Sequence, residues 1–474
     1  MTAPRNDRST DHQASPNNCC SNPIASHQRP LRAPHAKEHH MRKTFRTSIA
    51  TAAAVALLAF TACGSATQTA APATDGPYTA PAKEVTATIS VSNWGDPGDK
   101  AVYDSVAKRF KEKYPNVTVN NNFTPITTWT EYVNKLVTQA AAGQAPDVIN
   151  IATEGVELGL ANDLFTPLDG FLENDPEAKS LRADIDPKLL AGFSKDGSTY
   201  LIPNTFNTMV IFYNTKMFEA AGIARPSDDW TWDEFLEISK KLTTGEGADK
   251  VYGFAMPYYS FGITPWLYSN GTSMMSEDLK SAQLTDGKVK ETAGWVRDLV
   301  TKHGVSPQPK GSDPYQLFPA GKAAMTGAGH FVTGGFAKAG FKDYDILPWP
   351  KGTTKSTVFG AGAFAVSKAS KNQELSWEFI KMLTDQQTQK QWADAGAAVP
   401  STKTAASSPE FLDSPEHAEE FYNSLSYAKP VAAPGVYNVL DPAFMRAMDE
   451  IMSGQDIGSS LEKAQKDVEE ALQQ

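Results

Sequence analysis

Two short stretches of the chain set an aromatic plate beside a fixed polar group: Trp94 with Asp96 in SNWGDPG, and Trp266 with Asn270 in PWLYSNG. An indole face packs on the C–H face of a ring, and an ionised carboxylate accepts two hydrogen bonds. A carboxamide both donates and accepts. This is chemistry for holding a solute. Motifs of turnover are missing: there is no H-E-x-x-H, no G-x-S-x-G, and no motif that pairs the many acids. FGAGAF lacks the G-x-G-x-x-G spacing, and AGKAAM, at Gly321 and Lys322, lacks the upstream glycine of a P-loop. Gly360 and Gly362 read instead as a strand that lets a solute approach its backbone. The adjacent Tyr258 and Tyr259 could ligate ferric iron, or simply pack under a strand. No resident metal or cofactor is expected.

The elements that must position these residues are legible in the periodicity. VTATISVSNWGD alternates at Val85, Ala87, Ile89 and Val91, a strand that ends in the loop bearing Trp94 and Asp96. KAVYDSVAKRFKEKYP has helical spacing. VTVNNNF is a second strand, with Thr127, Thr128 and Trp129 after it. TEYVNKLVTQAAAG is a helix ended by Gly143, and PDVINIA a third strand, followed by Glu154. The β-α-β-α-β order predicts an α/β lobe with a mostly parallel sheet, its post-strand loops on one edge, where solutes of such sheets lie. Glu154 serves equally well as a helix cap there.

Further on, TYLIPNTFNTMVIFYNTKMFEAAGI predicts one long strand and a short helix, and WTWDEFLEISKKLT a helix capped by Thr231. YGFAMPYY, YDILPWP and VFGAGAFAVS predict strands, with Trp349 packing. ELSWEFIKMLTDQQTQKQWADAG predicts one long helix, and SSLEKAQKDVEEAL a terminal one. Two α/β lobes sharing a chain that crosses between them is the simplest arrangement.

MRKTFRTSIATAAAVALLAFTACGSA starts at Met41 with Arg42, Lys43 and Arg46, then runs apolar over 49–60, twelve residues, too short to span a bilayer. It resembles a bacterial lipoprotein signal (residues 41–62) with Phe60 where leucine is usual, which makes Cys63 the lipidated first residue of the mature chain. Residues 63–84 read as a flexible tether. Residues 1–40 hold five of the eight histidines and two of the three cysteines without apolar periodicity. They read as a disordered extension from an upstream start, with Met41 the true one. The remaining 412 residues contain Cys63 alone, which excludes a disulfide framework or a thiol nucleophile. The first 62 residues carry a net +5, so the rest of a chain totalling −10 carries −15, against nucleic acid as a partner.

Five stretches in order, FKEKYPNVTV, APDVINI, YLIPNTFNTMVIFYNTKMFEAAGI with WTWDEF, LFPAGKAAMTGAGHF, and FGAGAFAVSKASKNQELSWEFIKML, resemble the extracellular solute-binding proteins of ABC importers, specifically the sugar-binding, maltose-binding-protein-like family. The resemblance implies a type II periplasmic-binding-protein-like fold: two α/β lobes joined by hinge crossings around a ligand cleft. It implies residues 85–203 with about 366–425 as one lobe, and 204–365 with about 426–474 as the other. It implies a non-enzymatic, monomeric protein, lipid-anchored at the extracellular face of the membrane, that passes a sugar or oligosaccharide to ABC permease subunits. Asn204 and Asn207 then lie where the chain enters the second lobe, Asn207 as ligand or as a turn. Trp266 sits where the family often stacks a sugar, or in the core. His330 stands where many relatives have Trp, with Phe331 beside it, and Tyr437 is a further aromatic candidate. The alternatives are a lipid-anchored glycoside hydrolase, which needs two carboxylates across one site, and a ferric-iron binder.

Overall fold

Alternation buries Ile89 and Val91 completely, and helical spacing does the same for Val106 and Phe110. These residues open a β-α-β-α-β unit in the computed structural model, which describes residues 77–95, 97–125, 129–396 and 398–473. In chain order the strands are β1 (Ala87–Gly95), β2 (Val117–Pro125), β3 (Val148–Ala152), β4 (Ser194–Lys195), β5 (Ser198–Thr199), β6 (Ile202–Thr208), β7 (Val210–Asn214), β8 (Met325–Ala328), β9 (Tyr344–Leu347), β10 (Thr357–Val366), β11 (Val399–Pro400) and β12 (Ala428–Pro430).

The large sheet runs β11-β6-β10-β3-β1-β2, with β12 beside β10. β1 pairs in parallel with β2 and β3. The sheet is nevertheless mixed, because β10 enters antiparallel between β3 and β6. The expected parallel pairing holds for its first three strands and recurs between β10 and β12. A second, antiparallel sheet runs β8-β7-β9. Strand alternation covers it on both faces: Phe212 and Ile346 belong to the first of two hydrophobic clusters, Ile211, Tyr213 and Leu347 to the second.

The predicted single strand over TYLIPNTFNTMVIFYN is two strands. Met209 breaks it, sending β6 into the large sheet and β7 into the small one. The break is fixed by β10: Met209 N–H donates to Val358 O at 3.0 Å, and Thr357 Oγ1 donates to Met209 O at 2.6 Å. β12 lies on the other side of β10, and Val431 N–H donates to Phe359 O at 3.1 Å before residues 431–433 join the second cluster. Three passages between the two clusters thus run side by side.

YGFAMPYY forms isolated bridges, Tyr252 with Ala323 and Ala255 with Thr326, instead of a strand. The predicted long helix is two, Gln373–Thr384 and Gln386–Ala395. Asp385 separates them: its backbone is extended, and its carboxylate accepts from Thr388 N–H at 2.8 Å as an N-cap. Arg109 bonds Asp385 Oδ2 at 2.8 Å and Met382 O at 3.0 Å. Thr231 and Glu234 complete a reciprocal capping box on Trp232–Leu242. The terminal helix, Ile457–Leu472, buries Leu461, Ala464 and Val468 as its spacing predicts. No helix among the described residues is long and apolar enough to cross a membrane.

Candidate functional site

The carboxyl ends of β1 and β3 and the middle of β6 and β10 surround a cavity of about 610 Å³. The first cluster contributes Trp94, Tyr103, Phe206 and Trp392 to its wall; Phe261 and Tyr437 come from the second, and Phe331 touches both. A larger, more open depression of about 810 Å³, at Leu172, Arg182 and Lys403, has no aromatic in its wall.

Each side chain is placed by its element. Gly95 turns the chain at the end of β1 with φ +135°, and a Cβ there would collide with the Asp99 carboxylate. Trp94 and Trp129 meet edge to face, centroids 4.5 Å apart at 84°. The floor is fixed from below: Tyr132 Oη donates to Asn150 O at 2.7 Å, tying the helix Trp129–Ala141 to β3. Trp94 lies against β10 because Gly362 has no side chain; a Cβ there would stand 3.3 Å from the indole and 3.1 Å from Asn204 Oδ1. Asn207 Oδ1 accepts from Phe331 N–H at 3.2 Å, which holds the Phe331 loop to β6.

Three polar atoms at this wall are buried without a partner: Asn204 Oδ1, Trp94 Nε1 and Trp392 Nε1. Most buried polar groups are paired, so these orphaned atoms mark the wall as a place where polar pairing within the protein is incomplete. The cavity is also acidic. Asp99, Glu154 and Asp441 line it, with no Lys, Arg or His among the described residues. Burial pushes the Glu154 carboxyl up to about 7, against a hydrogen bond from Thr153 Oγ1, and Asp441 adds repulsion. Burial likewise raises Asp441, although Ser260 Oγ donates to it.

Of the residues expected from the sequence, Trp94, Trp129, Glu154, Asn204, Asn207, Phe331, Gly360, Gly362 and Tyr437 are brought together here. Asp96, Thr127, Thr128 and Cys63 lie outside the described residues. Three others are corrected. Trp266 is 0 % exposed and packs between Phe235 and Trp349, in the core of the second cluster. Asn270 holds the Thr292 hydroxyl at 3.2 Å instead of facing the cavity. His330 stacks on Phe411 with centroids 5.1 Å apart, and burial holds its imidazole down at about 4, hence neutral. Apolar packing claimed Trp266 and His330, and polar partners on a neighbouring helix claimed Asn270, none of which a local pattern reveals.

Sequence reasoning missed Tyr103, Phe261, Trp392 and Asp441. Asp441 follows Tyr437 by four residues on the helix Tyr437–Met452, so the spacing that puts both on one face was available as a signal. Tyr259, weighed for iron, also lines the cavity, and its hydroxyl pairs with that of Tyr315 at 2.8 Å. Asp345, Glu416 and His417 are grouped closely enough to hold a cation. Asp345 is already engaged, by Tyr213 Oη at 3.0 Å and His417 Nδ1 at 2.6 Å, and none of the three lines the cavity.

Residues 105–419 match the model of a family described as bacterial extracellular solute-binding proteins. A binding protein of Brucella abortus is 26 % identical over 309 residues, 61 % of this chain and 69 % of its own. The galactooligosaccharide-binding protein of Bacillus subtilis is 22 % identical over 66 % of this chain and 74 % of its own. An ABC substrate-binding protein from Listeria monocytogenes, solved in complex with cycloalternan, superposes with a TM-score of 0.73 at 24 % identity, covering 82 % of this chain and 100 % of that one. Maltose-bound MalE3 of T. maritima gives 0.70 at 18 %, covering 81 % and 100 %.

Proposed function

Because the chain belongs to the bacterial extracellular solute-binding protein family, we propose that it captures a sugar or oligosaccharide in the cavity between its two clusters and delivers it to the membrane subunits of an ABC importer. The observation that carries this reading is the aromatic wall with buried, unpartnered Asn204 Oδ1 and Trp94 and Trp392 N–H groups. A pyranose offers C–H faces to plates and hydroxyls to such atoms. Relatives named for galactooligosaccharide, cycloalternan and maltose support the class of ligand.

The same residues supply the mechanism. Trp94, Trp129 and Asn204 engage the solute from the large sheet; Phe261, Tyr437 and Asp441 engage it from the opposite side. Touching both sides at once favours the closed arrangement, the one a permease would read. The division into 85–203 with about 366–425, and 204–365 with about 426–474, would put Trp94 and Trp129 on one lobe and Phe261, Tyr437 and Asp441 on the other, with Asn204 at the crossing between them. The protein works as a monomer, held by lipid on Cys63. Cys63→Ser should move it from the membrane fraction to the medium, and retention would overturn the anchor.

The test of the ligand class is a thermal-shift screen against carbohydrates. A true ligand at 100 times its dissociation constant stabilises by about 2.7 kcal/mol. No shift with any sugar would sink the reading. Glu154 and Asp441 favour a second reading, since a glycosidase needs such a pair. Release of new reducing ends from a bound oligosaccharide would establish it, and an intact ligand after prolonged incubation dismisses it.

A further inference from the structure

A neutral sugar can donate its hydroxyls to the carboxylates of this cavity, but it carries no charge to offset theirs. Glu154 and Asp441 face the same space from opposite sides, and neither has a Lys or Arg partner among the described residues. Asp99 adds a third carboxylate to the wall. A neutral solute that expels water would leave like charges together in a medium of low dielectric, where an uncompensated charge is costly. Asn204 is 2 % exposed, and its unpartnered Oδ1 adds one more acceptor. The aromatic walls, with Trp94 and Trp129 meeting at a corner, favour a cation over their faces.

We propose that the solute is a cationic amino sugar, its ammonium seated between Glu154 and Asp441 within reach of the aromatic corner. The inference rests on the sugar-binding reading and narrows it. An ammonium has three donors and no acceptor, which suits two carboxylates and a carboxamide oxygen. It also relieves the repulsion from Asp441 that, with burial, raises the Glu154 carboxyl. A uronate or a sugar phosphate meets a field of its own sign and is disfavoured. The chain's net charge of −10 draws cations toward the protein from a distance.

The experiment uses matched pairs that differ only in one group: glucosamine and glucose, galactosamine and galactose, and glucosamine oligomers and their hydroxyl counterparts. Isothermal calorimetry on the full chain should show the amine member of the preferred pair binding at least tenfold tighter than its hydroxyl partner, and the corresponding uronate, glucuronate or galacturonate, not binding. Glu154→Gln should shrink that amine-to-hydroxyl ratio severalfold, and Asp441→Asn should do the same. Both replacements keep the side-chain shape, and a circular dichroism melt verifies that each variant is folded. If hydroxyl sugars bind as tightly as their amines, the cationic assignment falls and the sugar reading stands. If no member of any pair binds, both fall together.

Discussion

Glu154 is where residue chemistry and stability are opposed. Burial pushes its carboxyl up to about 7, from 4.5 for an unperturbed glutamate. A carboxyl raised on folding stabilises the protein through its protonated form. That contribution is complete below pH 4.5 and disappears as pH rises through 7. Glu154→Gln should therefore raise the unliganded Tm by a few degrees at pH 8, leave it unchanged near pH 4.5, and weaken ligand binding. A melt series across pH reads the first two, and equal shifts at both ends would show that Glu154 is not the titrating group. Two tryptophans separate site from core in the same manner. Trp94→Ala should lower affinity about tenfold through lost stacking, with little change in Tm. Trp266→Ala empties the second core and should cost about 3–5 kcal/mol. Denaturant titration beside calorimetry distinguishes the two.

At the scale of elements, Asp385 shows how one side chain shapes a segment. It ends the helix Gln373–Thr384, caps the helix Gln386–Ala395, and anchors Arg109. Asp385→Ala removes the cap and the carboxylate partner of Arg109, whose guanidinium is 17 % exposed and keeps Met382 O and Gln387 Oε1, so a loss of about 1–2 kcal/mol is expected with affinity retained. The sequence announced the strands and helices of the first lobe because their periodicity is local. It announced Trp94 and Glu154 because the ends of parallel strands converge on one edge. It concealed the break at Asp385, since the apolar pattern runs through both helices and only the partner Arg109, far away in the chain, tells where the cap acts. It likewise concealed the break at Met209, which bonds to Thr357 and Val358 impose. Trp266 and Trp94 look alike in sequence; burial by Phe235 and Trp349 is a property of the assembled fold.

At the scale of the whole molecule, three adjacent passages join two hydrophobic cores that share a cavity, and a group of ion pairs lies behind the first core. Lys381 contacts Asp175 and Glu378 at 2.8 Å each, and Lys113 reaches Glu378 at 2.7 Å. Burial works against the charged form of Glu378, yet hydrogen bonds from Lys113 and Lys381 hold its carboxyl below the usual range. Its stabilising contribution is thus present at neutral pH and lost as pH falls below 4.5. Glu378→Gln should flatten the acid limb of the stability curve in a pH-dependent melt. The position of β10 governs something else, the order in which the molecule comes into being. β10 lies between β6 and β3, yet it is synthesised about 150 residues after β6 and about 200 after β3. Until Thr357–Val366 has been made, the large sheet is two disconnected pieces, each with an open edge. Such distant pairing folds slowly. A growing chain that ends at residue 356 should therefore be cut by protease throughout, and one that ends at 474 should resist. Late arrival of the central strand is thus a delay built into the order of the chain.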